Sequence, residues 1–335
     1  MPRTEKQPAA DLPTAASSGR FDAIAWLRRY GTTLFLALLM VFFAYQNQRF
    51  ISLRNLTNIL TEGSIYGIIA VGMTFVILTA GVDLAVGSLL AFAGMAGASV
   101  AWLIGADFSM SWAVALATAI FTGAAAGYLQ GRAVTLLGIP PFIVTLGGMT
   151  VWRGATLILH DGAPISGFDQ GYRWWGTGTI VHIPVPVALF ALVAATGYIV
   201  QRYTRYGRHV YAVGGNPEAA RLNGLNVAAI ITSVYLIVGV LSGLAGFLQS
   251  ARLGAAEATA GVGYELRVIA SVVIGGASLS GGRGGIGGTI IGALLIGVLT
   301  NGLVIMHVSS YWQQVVIGLI IVAAVAFDSF AKSRR

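Results

Sequence analysis

The sequence predicts an all-α polytopic membrane protein of about ten transmembrane helices with both termini cytoplasmic. Three observations carry that prediction. Of 335 residues, 56% are hydrophobic and only 10% charged, against about 25% charged in soluble domains. Apolar runs recur along the chain at lengths near the roughly 20 residues that a hydrocarbon core requires. The basic residues gather at the termini and in alternate loops between these runs, which marks cytoplasmic loops.

Residues 1–30 are rich in Pro, Ala, Ser, Thr and charge, and read as a cytoplasmic tail disordered to about Gly19. The first apolar run, 32–45, follows Arg28 and Arg29 without a small-residue cleavage site close behind it. It therefore reads as an uncleaved first span with its N-terminus inside. Further spans are expected at 63–80, 82–105, 111–130, 138–159, 184–203, 227–250, 264–279, 285–306 and 311–327. Residues 31–328 thus form one transmembrane domain with a cytoplasmic loop at 203–226, and 329–335 form a basic cytoplasmic tail. This topology puts 14 of the 20 basic residues on the cytoplasmic side, all but Arg49, Arg54, Arg153, Arg173, Arg252 and Arg267. The largest outer segment, 160–182, carries Tyr172, Trp174 and Trp175. These read as an interfacial aromatic belt, with contact to a second protein as the alternative.

Composition excludes several chemistries. With no cysteine, the chain has neither disulfides nor thiolate catalysis. The four histidines, His160, His182, His209 and His307, fall at no metal-binding spacing. Lys6 and Lys332 are the only lysines. A phosphate-binding loop needs a lysine after a glycine-rich turn, so the chain cannot hydrolyse ATP by that route. The net charge of +8 is spread over loops and termini, which speaks for bilayer topology and against nucleic acid.

The loop at 203–226, YTRYGRHVYAVGGNPEAARLNGLN, is a polar, basic island between long apolar runs. Asn216 can cap a helix, Pro217 fits its first position and Gly224 can end it. Two turns do not persist alone in water, so this helix needs a surface. It reads as a coupling element for a soluble partner, or as an ordinary capped loop helix.

Two stretches place turn residues inside apolar sequence: TAGVDLAVGS (79–88) and GGASLSGGRGGIGGT (275–289). Both fall at expected cytoplasmic ends. In the first, Asp83 is costly if it faces lipid, and it reads as a cap for the next helix or as a lining residue of a pathway mouth. Gly87 and Ser88 open the next run. Thr74, Gln249 and Asn301, with Ser242, offer uncharged hydrogen-bonding groups within spans, suited to a neutral hydroxylated solute. Gly123, Gly127 and Gly131, Gly239 and Gly243, and Gly284, Gly288 and Gly292 recur at four-residue spacing. That spacing lets helix backbones approach closely in lipid.

Several segments together resemble the permease subunits of ATP-binding-cassette (ABC) importers for ribose, xylose and related monosaccharides. They are AVGMTFVILTAGVDLAVGS (70–88), IPPFIVTLGGMTVWRGATLIL (139–159), YGRHVYAVGGNPEAARLNGL (206–225), GGASLSGGRGGIGGTIIGALLIGVLTNGLV (275–304) and YWQQVVIGLIIVAAVAFD (311–328). The resemblance covers nearly everything beyond Gly31. It implies a permease of the bacterial inner membrane that works as a pair and carries no cofactor of its own. Its partners would be a cytoplasmic ATPase that binds ATP-Mg and a periplasmic sugar-binding protein. It also implies that Gly214, Gly215, Asn216, Glu218, Ala219, Ala220, Arg221, Leu222 and Gly224 contact that ATPase. The family's DLSVG stands here as DLAVG, with Ala85 lacking a hydroxyl, and His307 replaces a residue that is more often small. Branched-chain amino acid and nucleoside permeases are more distant relatives of similar layout. An ion-coupled secondary transporter would require buried carboxylates or a proton relay, and these are scarce. An intramembrane enzyme would require metal-spaced histidines or a carboxylate pair.

Overall fold

The computed structural model describes residues 23–104 and 111–333. The part of the N-terminal tail expected to be disordered, and the end of the expected 82–105 span at Gly105, lie outside the described residues. The described residues are helical almost throughout: α1 (Ala23–Gln46), a 3-10 turn (Gln48–Ile51), α2 (Leu53–Leu78), α3 (Val86–Ile104), α4 (Ser111–Leu137), α5 (Pro141–Leu159), α6 (Gln170–Thr177) and α7 (Val185–Tyr203). Then follow α8 (Arg205–Gly215), α9 (Pro217–Leu222), α10 (Val227–Leu253), α11 (Tyr264–Ile274), α12 (Ile286–Ile305) and α13 (Ser310–Ser333). Two short antiparallel pairs, Ile165–Ser166 with Ala255–Ala256 and Thr179–Ile180 with Ile183–Pro184, tie loops together.

Among the described residues, seven helices are long and apolar enough to cross a membrane: α2, α3, α4, α5, α7, α10 and α12. Shorter apolar stretches run through Gly31–Gln46 of α1 and Ser310–Ala323 of α13. The expected span at 264–279 differs. The helix there has only 11 residues, or about 16 Å against a core of about 30 Å. It stops because Gly276 turns to φ +92°, and the chain loops through 275–285 before α12 begins. A second departure lies at α2, which starts ten residues earlier than the expected Gly63, at Leu53. The polar residues that hid this extension find partners. Asn55 exchanges hydrogen bonds of 2.9 and 3.0 Å with Asn301, and Glu62 lies 3.5 Å from Arg267.

The centre of the bundle is α2, whose most apolar stretch is 83% buried within the protein, whereas that of α5 is 11% buried. The glycine stripes do what their spacing suggests. A side chain at Gly123 would strike the carbonyl of Gly239, and one at Gly243 the carbonyl of Ala119, so α4 and α10 touch backbone to backbone. The aromatic segment at 160–182 departs from a simple belt. Tyr172 is buried, stacks on Phe168 with centroids 4.2 Å apart and shares a 2.8 Å hydrogen bond with Ser250. Trp175 packs on Trp112 at 4.9 Å. Trp174 remains exposed.

Candidate functional site

The polar island at 203–226 folds as two short helices in series. Thr204 caps α8 by accepting from the Gly207 N–H at 3.2 Å. Asn216 ends α8 and caps α9, its side chain accepting from the Ala219 N–H at 2.9 Å, with Pro217 at the first turn. Gly224, at φ +80°, closes the element while the Leu225 N–H reaches back to the Ala220 carbonyl at 3.1 Å. Of α9 only Ala220 is buried, and Ala219 is half-buried. Gly215, Asn216, Glu218, Arg221 and Gly224 are exposed, and Leu222 is 81% exposed. Glu218 and Arg221 lie 3.3 Å apart, each 68% exposed. A pair this open adds little stability, so its side chains are available to another surface.

Behind α9, α8 reaches both interrupted regions. A Cβ at Gly214 would fall on the Leu78 carbonyl at the end of α2, beside the N–H of Gly282 in the 275–285 loop. Gly282 itself donates to Leu78 O at 2.9 Å. Next to this contact, Gln201 in the last turn of α7 accepts from the Ile286 N–H at 3.0 Å. That N–H belongs to the first residue of α12 and is one of the donors a helix start leaves unmatched. The Gln201 amide donates to Tyr211 Oη at 2.9 Å, and Tyr211 donates to the Gly284 carbonyl at 2.6 Å. Burial pushes the Tyr211 phenol above its ordinary pKa, with Arg202 and the Gln201 bond opposing that shift. Tyr206, bonded to Ser233 at 2.7 Å, is likewise raised by burial. Both are thus neutral hydrogen-bonding groups at physiological pH.

The candidates within the bundle divide into two groups. Thr74 shares a 2.7 Å hydrogen bond with Thr289, and Asn301 pairs with Asn55, so both join helix to helix. The others lie beside α3. Asp83 is fully buried and its Oδ1 accepts from the Ala85 N–H at 2.8 Å, which is the expected cap. The same oxygen takes a longer bond of 3.4 Å from the Gln130 amide, while Asp83 Oδ2 has no partner among the described residues. Ser88 donates to the Ala85 carbonyl at 2.9 Å. Gly87 meets the Gly261 carbonyl and the Glu265 carboxylate so closely that no side chain fits. Gln249 lines a cavity of about 10 Å³ with Glu257 and Gly94, and its Oε1 has no partner among the described residues. That space is about one water's worth.

Gln201, Tyr211, Gln130 and Trp152 were not among the sequence candidates. For the two glutamines the sequence held a signal, since an amide inside an apolar run needs an internal partner. Among the described residues, no group of three or more His, Asp or Glu side chains could hold a metal ion.

Comparison with known proteins places the chain. The family described as branched-chain amino acid transport system / permease component matches residues 55–325. The chain is similar to the ribose import permease protein of Escherichia coli strain K12, with 42% identity over 95% of this chain and 99% of the relative. It is also similar to the D-allose transport system permease protein of the same strain, at 40% identity over 94% of this chain and 95% of the relative. A third relative is the galactose/methyl galactoside import permease protein of Salmonella typhimurium, at 34% identity over 93% and 97% of the two lengths. No solved structure matches.

Proposed function

The chain belongs to the branched-chain amino acid transport system / permease component family, and from that premise we propose that it is the membrane-spanning subunit of an ABC importer for a neutral monosaccharide. It is a transport component and makes or breaks no covalent bond. The substrate class follows the relatives, whose names specify ribose, allose and galactose across nearly their whole lengths. The branched-chain amino acid reading is the weaker one for that reason.

The observation that carries the mechanism is the position of α8. Its far end continues into the exposed α9, where a cytoplasmic ATPase would dock on Glu218, Arg221 and Leu222. The same end is held at Gly214 against Leu78 and Gly282, and through Tyr211 and Gln201 to Gly284 and Ile286. A displacement of α9 is thus delivered to both places where the membrane helices are interrupted, and not to a loop alone. ATP-Mg binds in the ATPase. Closure of two ATPase copies would pull two permease copies from inward to outward access, and a periplasmic binding protein would deliver the sugar. The setting is the bacterial inner membrane.

The test is co-purification of the chain with the ATPase and binding protein encoded beside it, followed by ATPase measurements across monosaccharides, amino acids and nucleosides. Stimulation by one or more monosaccharides is expected. Stimulation by an amino acid and by no monosaccharide would overturn the substrate class.

A further inference from the structure

The junction of α7 and α8 carries positive charge that nothing within the protein balances. Arg205 occupies the first position of α8 and Arg208 lies one turn on, both exposed. Residues three apart on a helix are neighbours, so these like charges repel. They also stand at the end of α8 where the backbone dipole is positive, and its first turn holds no acidic residue. Only Thr204 separates α8 from α7, whose last turn adds the exposed Arg202. From Gln170 to Ala256 the sequence contains a single acid, Glu218, and it faces Arg221 at 3.3 Å. Arg202, Arg205 and Arg208 form no ion pair among the described residues. The 275–285 loop adjoins the same region, since the Gly284 carbonyl accepts from Tyr211, one turn beyond Arg208, and it contributes a further exposed arginine, Arg283.

The length of α7 sets the level of this charge. Its 19 residues extend about 28 Å, close to the roughly 30 Å of a hydrocarbon core. Arg202, in the last turn, therefore stands at headgroup level. Leu192, Ile199 and Arg202 fall on one side of the helix and are all exposed, so an apolar track on α7 leads directly to the guanidinium. Tyr198 and Tyr203, both exposed and with ring centroids 6.3 Å apart, flank Arg202 in the manner of an interfacial aromatic belt.

We propose that Arg202, Arg205 and Arg208 form a binding site for the headgroup of an anionic phospholipid, with an acyl chain lying along Leu192 and Ile199. Guanidinium groups match phosphate oxygens in charge and in donor geometry. A phosphate at this place relieves the Arg205–Arg208 repulsion and complements the positive end of α8. Membrane topology alone asks only that arginines lie on this side of the bilayer. It does not ask for two of them in the one turn of α8 where the dipole opposes them. An acidic protein surface would answer the arginines but leave the apolar track and the tyrosine pair without a role. The site requires that α7 span the bilayer and is independent of the importer reading.

The full-length chain, purified in a neutral detergent, is titrated with phosphatidylglycerol, phosphatidylcholine or inorganic phosphate, and bound lipid is measured by native mass spectrometry. Phosphatidylglycerol should bind at least about tenfold more tightly than phosphatidylcholine, and millimolar inorganic phosphate should not displace it. An arginine at a bilayer surface is worth about fivefold in affinity for anionic lipid, so replacing Arg202, Arg205 and Arg208 together by Gln should abolish the preference. Arg54 is exposed at the opposite end of α2 from the Leu78–Gly214 contact, and Arg54→Gln should leave the preference intact.

Equal binding of the two lipids by the wild-type chain, an unchanged preference in the triple variant, or an equal loss in Arg54→Gln would overturn the site. Displacement by inorganic phosphate would overturn it in favour of a soluble anion. A triple variant that keeps the lipid preference but loses affinity for the ATPase would assign the arginines to a protein interface instead. Should the triple variant fold poorly, Arg205→Gln and Arg208→Gln decide singly, each with an expected loss of about fivefold. Binding is measured on the chain without solute or ATPase, so failure of this site leaves the importer reading standing, and failure of that reading leaves the site.

Discussion

Replacing Tyr211 by Phe removes one oxygen and leaves the ring. That oxygen accepts from the Gln201 amide at 2.9 Å and donates to the Gly284 carbonyl at 2.6 Å, joining α8 to the end of α7 and to the loop before α12. A hydrogen bond of this kind is worth about 0.5–1.5 kcal/mol net, so two amount to about 2 kcal/mol. That corresponds to roughly 30-fold in the equilibrium between a latched and an unlatched α8. The global fold has many other contacts, and insertion and complex yield should be unchanged. The assay is the ratio of sugar transported to ATP hydrolysed by the reconstituted importer. Tyr211→Phe should keep the ATPase rate while the ratio falls at least about twofold, because a docked α9 then moves without carrying the α12 start with it. Gln201→Ala should reproduce the effect and additionally weaken the start of α12, since the Ile286 N–H loses its acceptor. An unchanged ratio in both variants, in properly assembled complexes, would refute the latch.

Replacing both Glu218 and Arg221 by Ala should weaken ATPase binding or coupling while lowering thermal stability by no more than about 0.5 kcal/mol, as suits an exposed pair; equal binding and coupling would remove these residues from the interface. Gly123→Val places methyl groups where the Gly239 carbonyl lies and should cost about 3 kcal/mol or more, read as a large fall in the melting temperature of the detergent-solubilised protein. Asn301→Ala should cost about 1 kcal/mol in stability and leave the transport KM unchanged, because Asn301 bonds Asn55 and not the solute; a raised KM would return it to the pathway. Because burial raises the Tyr211 pKa above its ordinary value near 10, the bond it donates to the Gly284 carbonyl persists below that value and is lost only as pH rises through the elevated one. Coupling should therefore be constant from about pH 6 to 9 and decline only above about pH 10.

Much of the architecture was legible because bilayer physics writes it plainly. Long apolar runs and the four-residue glycine stripes each follow from a constraint acting on a single helix or helix pair. The capped helix at 217–222 was legible for the same reason, since Asn216, Pro217 and Gly224 act locally. The short α11 was not, because hydropathy counts apolar residues and does not register that Gly275 and Gly276 end the helix halfway. Nor was the start of α2, where Asn55 and Glu62 looked like loop residues until Asn301 and Arg267, more than 200 positions away, supplied partners. At the candidate site the exposed face of α9 could be read from sequence. The network behind it could not, because Gln201, Tyr211 and Gly284 meet only through tertiary structure. For Asp83 the structure shows one oxygen accepting from the Ala85 N–H just before α3 and the other without a partner among the described residues.

Uptake of a radiolabelled monosaccharide into proteoliposomes tests the central claim most directly. With the permease, its ATPase, its binding protein and ATP all present, the sugar should accumulate against its gradient, and omission of any one should abolish accumulation without any requirement for a proton or sodium gradient. Accumulation driven by an ion gradient in the absence of the ATPase, or failure with every monosaccharide while an amino acid is taken up, would contradict it.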